Sequence, residues 1–386
     1  MTNSQYLKMA FVTINDALNL NTWSGTPYYM AKNFEKQSVQ IDYIGPLIDN
    51  NSFSCKIKKF YIKYILKKNY IKHFEPIIYK NFAQQVSQKL SLLDVDIIFS
   101  YWPIPIANLE CSQPIVLWTD ATFGGLLNFY PEFSNFTNQT IRNGHIMEMS
   151  AIKRTRLAIY SSDWAAETAK IIYQTDDSKI KVVPYGANIE CNRSIIDIRN
   201  ILQNKDSNKC NLLFIGQDWV RKGGDIALEI AKRLNIQGLK TELTVVGCQP
   251  DIGREFSSFV KILGFIPKSS PEGRLKFEQL LAQSHFFILP TKAECYGIVF
   301  CEANSFGLPC LSFDVGGIPT IIRDGINGKL FQINGDIEDY CTYISNIFSK
   351  HSEYHDLCLS SFNEYETRLN WPASCKKVRD YLIDLI

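Results

Sequence analysis

Short runs of apolar residues recur along the whole chain, and most of them do not alternate with polar residues. Runs of this kind that are rich in Val, Ile and Phe are typical of strands buried on both faces of a parallel sheet. The first half contains such runs at 9–14, 39–44, 95–100, 115–118, 157–161 and 181–184. The second half contains them at 212–216, 243–247, 260–264, 286–290 and 310–313. We therefore predict a parallel sheet in each half.

Amphipathic stretches separate the apolar runs. Between residues 225 and 234 the apolar positions Ile226, Ile230 and Leu234 recur with the period of a helix that buries one face. Parallel strands need crossover connections of this kind, so both halves are predicted to be doubly wound α/β domains. A chain of 386 residues is long enough for two such domains. The boundary is expected at 184–188 or in the polar stretch 203–211.

Composition argues against several classes of protein, among them nucleic-acid-binding, disulfide-rich and membrane-spanning proteins. A net charge of +2 gives no electrostatic argument for binding nucleic acid. The 11 cysteines are odd in number and form no CxxC pair, which favours reduced thiols over a disulfide framework or a zinc site. The polar segment 1–8 does not resemble a signal peptide, and no apolar run has the length of a membrane-spanning helix. We expect a cytoplasmic protein.

The segment from Lys56 to Lys72 contains seven lysines and no acidic residue. Its apolar side chains fall at helical spacing on one face, at Ile57, Phe60, Tyr61, Tyr64 and Ile65. A basic amphipathic helix can lie on an anionic membrane surface, which suggests a possible peripheral contact with a membrane. Alternatively, this is an ordinary surface helix whose apolar stripe packs on its own domain.

The stretch 289–311, LPTKAECYGIVFCEANSFGLPCL, is the most informative for chemistry. A buried strand is predicted to end at Pro290, and a helix to open at Gly297 and to stop near Gly307. Free N–H groups at a helix start form a natural phosphate site, and glycine lets a phosphate approach the backbone closely. We therefore predict a phosphate-binding turn at Gly297.

Two carboxylates flank this turn. Glu302 lies about one helical turn beyond Ile298 on the same face, where it suits hydroxyl groups such as a ribose diol. Glu294 precedes the helix and is placed to meet the other end of a diphosphate-linked ligand. The alternative is a surface loop and a solvated helix with two unrelated acids. The apolar neighbours of Glu302 argue against it, because carboxylates seldom lie between apolar residues without a partner.

The same stretch resembles the E-x7-E motif of the retaining glycosyltransferases of family four, which have the GT-B fold. Their pattern is roughly E-G-F-G-[LIV]-x-x-x-E-A-x-x-x-G-x-P-V, and this chain reads ECYGIVFCEANSFGLPC from Glu294. The downstream segments 316–319 and 324–328 also match in place and order. The resemblance covers nearly the whole chain and is weakest over 50–90.

The resemblance implies two facing Rossmann-like domains. An acceptor-binding domain would occupy 1–184, a domain that binds a nucleotide-diphosphate sugar donor 185–365, and a C-terminal helix at 366–386 would return to the first domain. Glu294 would contact the transferred sugar, and Glu302 the nucleotide ribose. The other donor contacts implied within these motifs are Tyr296, the amides of Gly297, Ile298 and Val299, and the nucleobase loop at Phe265 and Ile266.

A second element is the stretch 214–224, FIGQDWVRKGG, between a predicted strand and a predicted helix. Arg221 and Lys222 beside glycines are suited to neutralise a leaving diphosphate. In the family the glycine that matches Gly216 is usually followed by Arg. Here Gln217 takes that position, and Arg221 is our candidate for the missing charge. Alternatively these are solvated basic residues, although cations are unfavourable at a helix start without an anion.

Two further candidates lie in the first half. The loop with Ser24, Gly25 and Thr26 follows the first predicted strand, and in the family it faces the donor diphosphate; an ordinary strand–helix turn would look the same. Asp120 follows another predicted strand, at the edge where ligands bind in such sheets. We expect Asp120 to contact the acceptor or the donor sugar, with an Asp that caps the next turn as the alternative.

These features together predict a retaining glycosyltransferase with no cofactor and no metal. Asp94 and Asp96 resemble the metal-binding D-x-D of a different glycosyltransferase fold, but they precede a strand and are interpreted as an entry turn. A sugar-nucleotide epimerase of the same fold would lack the E-x7-E arrangement. A non-catalytic protein that binds sugar nucleotides is the remaining alternative, because Gln217 departs from the family pattern. The acceptor is not identified.

Overall fold

The computed structural model describes residues 7–49 and 53–386. Within these ranges the chain forms two compact units, each built on a six-stranded sheet. The first unit runs to Pro184 and also takes in Ser374–Ile386, and the second is Tyr185–Ala373. Most of the segment 1–8, on which the expected absence of a signal peptide was based, lies outside the described residues. No helix in the described part of the chain is both long and apolar enough to cross a bilayer.

The strands of the first unit all pair in parallel. They are β1 (Leu7–Val12), β2 (Val39–Ile44), β3 (Ile97–Ser100), β4 (Ile115–Thr119), β5 (Thr155–Tyr160) and β6 (Ile180–Val182). Their order in the sheet is β2-β1-β3-β4-β5-β6. The helices are α1 (Thr26–Glu35), α2 (Phe53–Phe60), α3 (Pro76–Leu90), α4 (Phe123–Leu126), α5 (Asn138–Arg154) and α6 (Asp163–Tyr173).

The second sheet is also parallel throughout. Its strands are β7 (Cys210–Ile215), β8 (Thr241–Val246), β9 (Val260–Gly264), β10 (Phe286–Ile288), β11 (Cys310–Phe313) and β12 (Gly328–Phe331), in the order β12-β11-β10-β7-β8-β9. The helices are α7 (Ile195–Gln203), α8 (Gly224–Ile236), α9 (Pro271–Gln283), α10 (Ile298–Asn304), α11 (Ile318–Ile321), α12 (Ile337–Ser349) and α13 (His351–Arg368). The last helix, α14 (Trp371–Ile383), begins in the second unit and passes into the first.

The apolar pattern predicted this architecture well. Each of the eleven predicted runs overlaps a strand, and the helix predicted at 225–234 lies within α8. The pattern missed β12, which is a four-residue edge strand with only two apolar side chains, Leu330 and Phe331. It also did not separate α13 from α14, so the segment predicted as one helix at 366–386 contains the end of α13 and the whole of α14.

The apolar runs do not alternate with polar residues because the strands are buried on both faces of each sheet. Every residue of β3 and β4 is buried. In the first unit the ring of Phe99 lies 5.3 Å from Phe11 and 6.4 Å from Trp118, measured between ring centroids. Trp118 also donates its indole N–H to the backbone carbonyl of Val183 at 3.0 Å, so the largest core side chain has its polar atom paired.

The segment 56–72 is not one continuous helix. Helix α2 ends at Phe60, a π-helical turn covers Tyr61–Ile65, and a 3₁₀ turn follows at Lys72–Phe74. The predicted apolar stripe is exposed at Ile57, Phe60, Tyr61, Tyr64 and Ile65. The interpretation that this stripe packs on its own domain is therefore wrong. The buried side chains here are instead those of Ile62 and of Cys55, which directly precedes the segment.

The first unit also buries a carboxyl group that forms no ion pair with a lysine or arginine of residues 7–49 and 53–386. Glu148, on α5, is 1% exposed, and its Oε2 atom accepts a hydrogen bond from the backbone N–H of Phe123 at 3.3 Å. Burial raises the pKa of Glu148 to about 8, and the hydrogen bond from Phe123 only partly opposes this rise. Below that pH the side chain is therefore neutral in the folded protein.

We expect the stability of the protein to fall as the pH rises from about 4.3, the usual pKa of an unfolded Glu, towards the folded value. Across this window the folded state holds a proton that the unfolded state has released, so rising pH favours unfolding. Glu148→Gln should remove this slope. Its melting temperature should exceed that of the wild type at pH 8.5, by about 2–4 °C for each kcal/mol of charging cost, and match it near pH 4.5.

Scanning calorimetry at several pH values measures this difference. Glu132→Gln, at an exposed position of the same unit, is the matched control and should follow the wild type. Parallel melting curves for Glu148→Gln and the wild type across the whole pH range would show that the buried carboxyl does not titrate in this window.

Candidate functional site

The predicted donor residues lie on loops that the second sheet brings together. Strands β7 and β10 are neighbours and run in parallel, so the loops that leave their carboxyl ends emerge side by side. The loop after β7 contains Gly216 to Gly223, and the loop after β10 contains Glu294. The backbone N–H of Lys292 donates to the carbonyl oxygen of Arg221 at 2.8 Å, which joins the two loops directly.

Lys222 and Glu294 form an ion pair between these loops. Their side chains are only 14% and 10% exposed, so the pair is largely shielded from water. A buried carboxylate that lacked this partner would be strongly unfavourable, which explains why the two predicted residues are found together. The backbone carbonyl of Glu294 also accepts a hydrogen bond from the N–H of Gly317, on the loop after β11, at 3.1 Å.

Arg221 joins the same two loops. Its Nη1 atom donates to the carbonyl oxygen of Ala293 at 2.9 Å, and its Nε atom lies 3.5 Å from the carboxylate of Asp218. The guanidinium group is therefore engaged with protein acceptors. The predicted use of Arg221 as the replacement for an Arg at position 217 requires it to leave at least one of these contacts.

Two glycines make this arrangement possible. Gly223 has a φ of +73°, and a Cβ atom there would lie 2.0 Å from the carbonyl oxygen of Pro290. Gly297 has a φ of +87°, a left-handed conformation that favours glycine, and it precedes the first residue of α10. The predicted turn at Gly297 is therefore present, and Ile298 and Val299 at the helix start are partly exposed.

Glu302 lies on α10 and is 1% exposed. It forms an ion pair at 2.5 Å with Lys268, from the segment between β9 and α9. Burial raises the pKa of Glu302, while the Lys268 ammonium group and the backbone N–H of Asn188 act in the opposite direction. Both carboxylates of the motif are thus buried, and each is paired with one lysine from a different loop.

The remaining predicted donor residues differ in exposure. Phe265 is 68% exposed and Ile266 is buried, so only Phe265 offers its side chain to a ligand. Gln217 is exposed at the carboxyl end of β7, next to the buried Gly216. Tyr296 is buried, and its hydroxyl group donates to the carbonyl oxygen of Tyr185 at 2.6 Å. The predicted contact of Tyr296 with the donor would therefore come from its backbone and not from its side chain.

In the first unit the predicted loop at Ser24, Gly25 and Thr26 connects β1 to α1. Gly25 has a φ of +90°, and Trp23 and Ser24 also have positive φ values, of 47° and 54°. The ring of Trp23 packs edge-on against Trp102, with the ring centroids 5.5 Å apart. Ser24 is exposed, whereas Gly25 and Thr26 are buried, so Ser24 is the side chain of the three that solvent reaches.

Asp120 directly follows β4 and is partly exposed. The N-cap of the next helix, α4, is Thr122, whose hydroxyl group accepts from the N–H of Gly125 at 3.1 Å, so Asp120 does not cap that helix. The alternative that Asp120 caps the turn before it stays a prediction. Asp120 and the Ser24 loop lie at the carboxyl ends of β4 and β1, which are separated by β3. The structure therefore places both at the same edge of the first sheet, on strands that are not neighbours.

The D-x-D pair has a structural role in this chain. Asp96 accepts a hydrogen bond from the backbone N–H of Lys8 at 2.8 Å, and Asp94 pairs with the ammonium group of Lys8 at 2.5 Å. Both carboxylates thus bind Lys8 at the start of β1 and stabilise that end of the first sheet. Within residues 7–49 and 53–386, no three His, Cys, Asp or Glu side chains are grouped so that they could hold a metal ion. The absence of a metal from the reaction stays a prediction.

Sequence reasoning missed Lys268. It lies 34 residues before Glu302 in the chain and belongs to no motif. A signal was nonetheless present, since a carboxylate between apolar residues requires a cation, and Lys268 closely follows the predicted nucleobase loop. Which of the many lysines supplies that cation depends on how the loop after β9 folds back towards α10.

We expect Lys268→Met to destabilise the protein, because it leaves Glu302 buried without its cation. The cost should be about 3 kcal/mol, at the low end for a broken buried pair because Lys268 keeps 27% of its side chain exposed. The loss should be greater at pH 8 than at pH 5, since loss of the Lys268 cation raises the pKa of the Glu302 carboxyl further and a proton can neutralise it more readily at the lower pH.

Urea denaturation at the two pH values measures this cost. Lys276→Met, at an exposed position of α9, is the matched control, and Glu302→Gln added to Lys268→Met should restore much of the lost stability. Equal stability of Lys268→Met and Lys276→Met at pH 8 would contradict the assigned pair.

Comparison with known proteins identifies the second unit. Residues 209–350 match the family model of glycosyl transferases group 1. Sulfoquinovosyl transferase SQD2 from Arabidopsis thaliana is 26% identical over 192 residues, which cover 48% of this chain and 35% of that protein. D-inositol 3-phosphate glycosyltransferase from Rhodococcus erythropolis is 27% identical over 190 residues, covering 46% of this chain and 42% of that protein. The match spans less than half the length of either relative.

Solved structures match nearly the whole chain. Sucrose-phosphate synthase from Thermosynechococcus elongatus superposes with a TM-score of 0.67 at 14% identity, covering 98% of this chain and 99% of that structure. Anabaena HepE in complex with UDP superposes with a TM-score of 0.63 at 16% identity, covering 98% and 100%. At these identities the likeness establishes the fold. Residues 209–350 form a domain of the group 1 glycosyltransferases, in a chain that has the GT-B fold.

Proposed function

We propose that this protein is a retaining glycosyltransferase that moves a sugar from a nucleotide-diphosphate donor to an acceptor hydroxyl group. The observation that carries the proposal is the pair of buried carboxylates, Glu294 and Glu302, each beside a lysine at the carboxyl edge of the second sheet. They flank a glycine turn at the start of α10, inside the region that the family model matches. HepE, one of the proteins that share this fold, has been crystallised with UDP and with UDP-glucose.

In this proposal each part of the donor meets a group that suits it. Glu302 accepts hydrogen bonds from the ribose hydroxyls, and the exposed ring of Phe265 offers a surface for the nucleobase. The amides of Gly297, Ile298 and Val299 and the ammonium group of Lys222 stabilise the diphosphate. Glu294 contacts the sugar. Both predicted cations already have protein partners, Lys222 in Glu294 and Arg221 in Asp218 and Ala293, so either must share or leave a contact to meet the diphosphate.

The reaction breaks the bond between the anomeric carbon and the phosphate oxygen and forms a bond from that carbon to the acceptor oxygen. The acceptor proton passes to the leaving diphosphate, which becomes more basic as the bond to the sugar breaks. The chain therefore needs no separate general base. Its main task is to stabilise the negative charge of the leaving group, which is usually the largest contribution in such chemistry.

Nucleotide binding and turnover test this proposal in two steps. We expect one nucleoside diphosphate, with UDP as the first probe, to bind in calorimetry, and Glu302→Ala to weaken it by about 1.5–3 kcal/mol, as for loss of a hydrogen bond to a charged group. Glu272→Ala, at an exposed position of α9, is the matched control. Unchanged affinity of Glu302→Ala would exclude the ribose contact.

Turnover then separates an enzyme from the non-catalytic alternative. The wild type should slowly release the nucleoside diphosphate from its sugar donor with water as acceptor, and Lys222→Met should lose this activity while still binding the donor. Tight donor binding without release from any nucleotide sugar would instead favour a sugar-nucleotide binding protein, which the glutamine at position 217 keeps as an alternative.

We expect transfer to proceed without a divalent ion. Lys222 and the backbone amides supply the positive charge that a metal supplies to a diphosphate in other sites. Donor cleavage should therefore be unchanged in EDTA and unaffected by added Mg²⁺ or Mn²⁺. A loss of activity in EDTA that either ion restores would count against this arrangement.

The location of the protein is part of the same proposal. All eleven cysteines lie in the described part of the chain, and none is in a disulfide, which supports the expected cytoplasmic location. Contact of residues 56–72 with a membrane is not needed for the reaction. It would concern only where the acceptor is found.

A further inference from the structure

A continuous apolar surface is exposed on the first unit. It consists of side chains that are 41% to 78% exposed, and we call it the 53–66 face: Phe53, Ile57, Phe60, Tyr61, Tyr64, Ile65 and Leu66. The rings of Phe60 and Tyr64 lie against each other, with centroids 5.1 Å apart. Scattered apolar side chains are ordinary on a protein surface, but a contiguous aromatic and aliphatic patch marks an interaction site.

The backbone beneath this face is held in place. Lys58 forms an ion pair with Glu75 at 2.8 Å, and the side-chain amide of Asn135 donates to the carbonyl oxygen of Lys67 at 3.0 Å. On the inward side, Cys55 and Ile62 are 6% and 4% exposed. The segment is thus attached by one side, and its opposite side, which carries the 53–66 face, points to solvent.

The charged residues within the segment 50–74 are all basic. No acidic residue occurs between Asp49 and Glu75. Of the seven lysines, Lys58 and Lys72 pair with these two flanking acids, and Lys68 donates to the backbone carbonyl of Phe136. The other four, Lys56, Lys59, Lys63 and Lys67, are exposed and make no ion pair within residues 7–49 and 53–386.

We propose that the 53–66 face docks on the surface of an anionic lipid bilayer. Aromatic and aliphatic side chains enter the boundary between headgroups and acyl chains, and lysines that border them attract anionic headgroups. A second copy of this chain fits less well, since a symmetric interface would bring two sets of four lysines together. The docking does not depend on the proposed transferase activity.

The same unit carries the predicted acceptor edge. The chain leaves the 53–66 face and reaches the 3₁₀ turn at Lys72–Phe74, where the ring of His73 lies 6.1 Å from that of Trp102. Trp102 in turn contacts Trp23, beside the predicted loop at Ser24. A bilayer bound at this face would therefore be attached to the unit in which an acceptor is expected to bind.

Co-sedimentation of the full-length protein with vesicles tests the docking. We expect binding to vesicles of phosphatidylcholine with about one-third phosphatidylglycerol at low salt, and little binding to phosphatidylcholine alone or at high salt. The combined substitution Lys56→Gln, Lys59→Gln, Lys63→Gln and Lys67→Gln should lower the partition coefficient at least about tenfold. Phe60→Ser with Tyr64→Ser should also lower it, although the lysines remain.

The matched control changes four exposed lysines of the same unit outside the face to Gln: Lys36, Lys80, Lys89 and Lys153. It alters the net charge by the same amount and should bind as the wild type does. An equal loss in the control, or no binding of the wild type to anionic vesicles, overturns the proposal. So does sedimentation in buffer that shows a wild-type dimer which Phe60→Ser with Tyr64→Ser converts to monomer.

Discussion

A carboxylate that is buried away from water must either pair with a cation or take up a proton. The proposed donor site of this protein depends on pairing with a cation. Glu294 and Glu302 are both buried in the second unit, and each is paired with a lysine from another loop. The pairs connect the loop after β7 to the loop after β10, and the segment after β9 to α10. These pairs join the loops to one another, so the proposed donor would meet charged groups that the protein itself orients.

The first unit shows the second solution. Glu148 is as deeply buried as Glu302, but it accepts a hydrogen bond from the backbone N–H of Phe123 instead of pairing with a lysine, and burial raises its pKa to about 8. A neutral carboxyl can remain in an apolar core where an anion cannot. The contrast separates two uses of buried acids in one chain. The lysine-paired carboxylates lie in the family motif, whereas the neutral carboxyl of Glu148 lies where α5 packs against the start of α4.

The lysines on the surface of the first unit also differ in whether they pair with an acid. Lys58 and Lys72 are neutralised by Glu75 and Asp49, whereas the lysines that border the 53–66 face have no acid near them in the sequence. Exposed contiguous aromatic side chains mark an interaction site, and the uncompensated lysines beside them give that site a positive charge. This surface and the ion-paired donor loops belong to different units, so a change in one leaves the contacts described for the other intact.

The sequence by itself determined the two parallel sheets and the turn at Gly297, because buried strands and phosphate-binding turns depend on local runs of residue types. It also singled out Glu302, whose apolar neighbours imply a partner, Glu294, which precedes the turn, and Lys222, which lies beside glycines after a predicted strand. Only the tertiary structure showed that Lys268 is the partner of Glu302. It also showed that the side chain of Tyr296 is buried and bonded to the carbonyl oxygen of Tyr185. It alone exposed the apolar side of 56–72, which sequence periodicity describes equally well as packed or free. Periodicity tells which residues share a face, whereas what covers that face depends on contacts between residues that are distant in the chain.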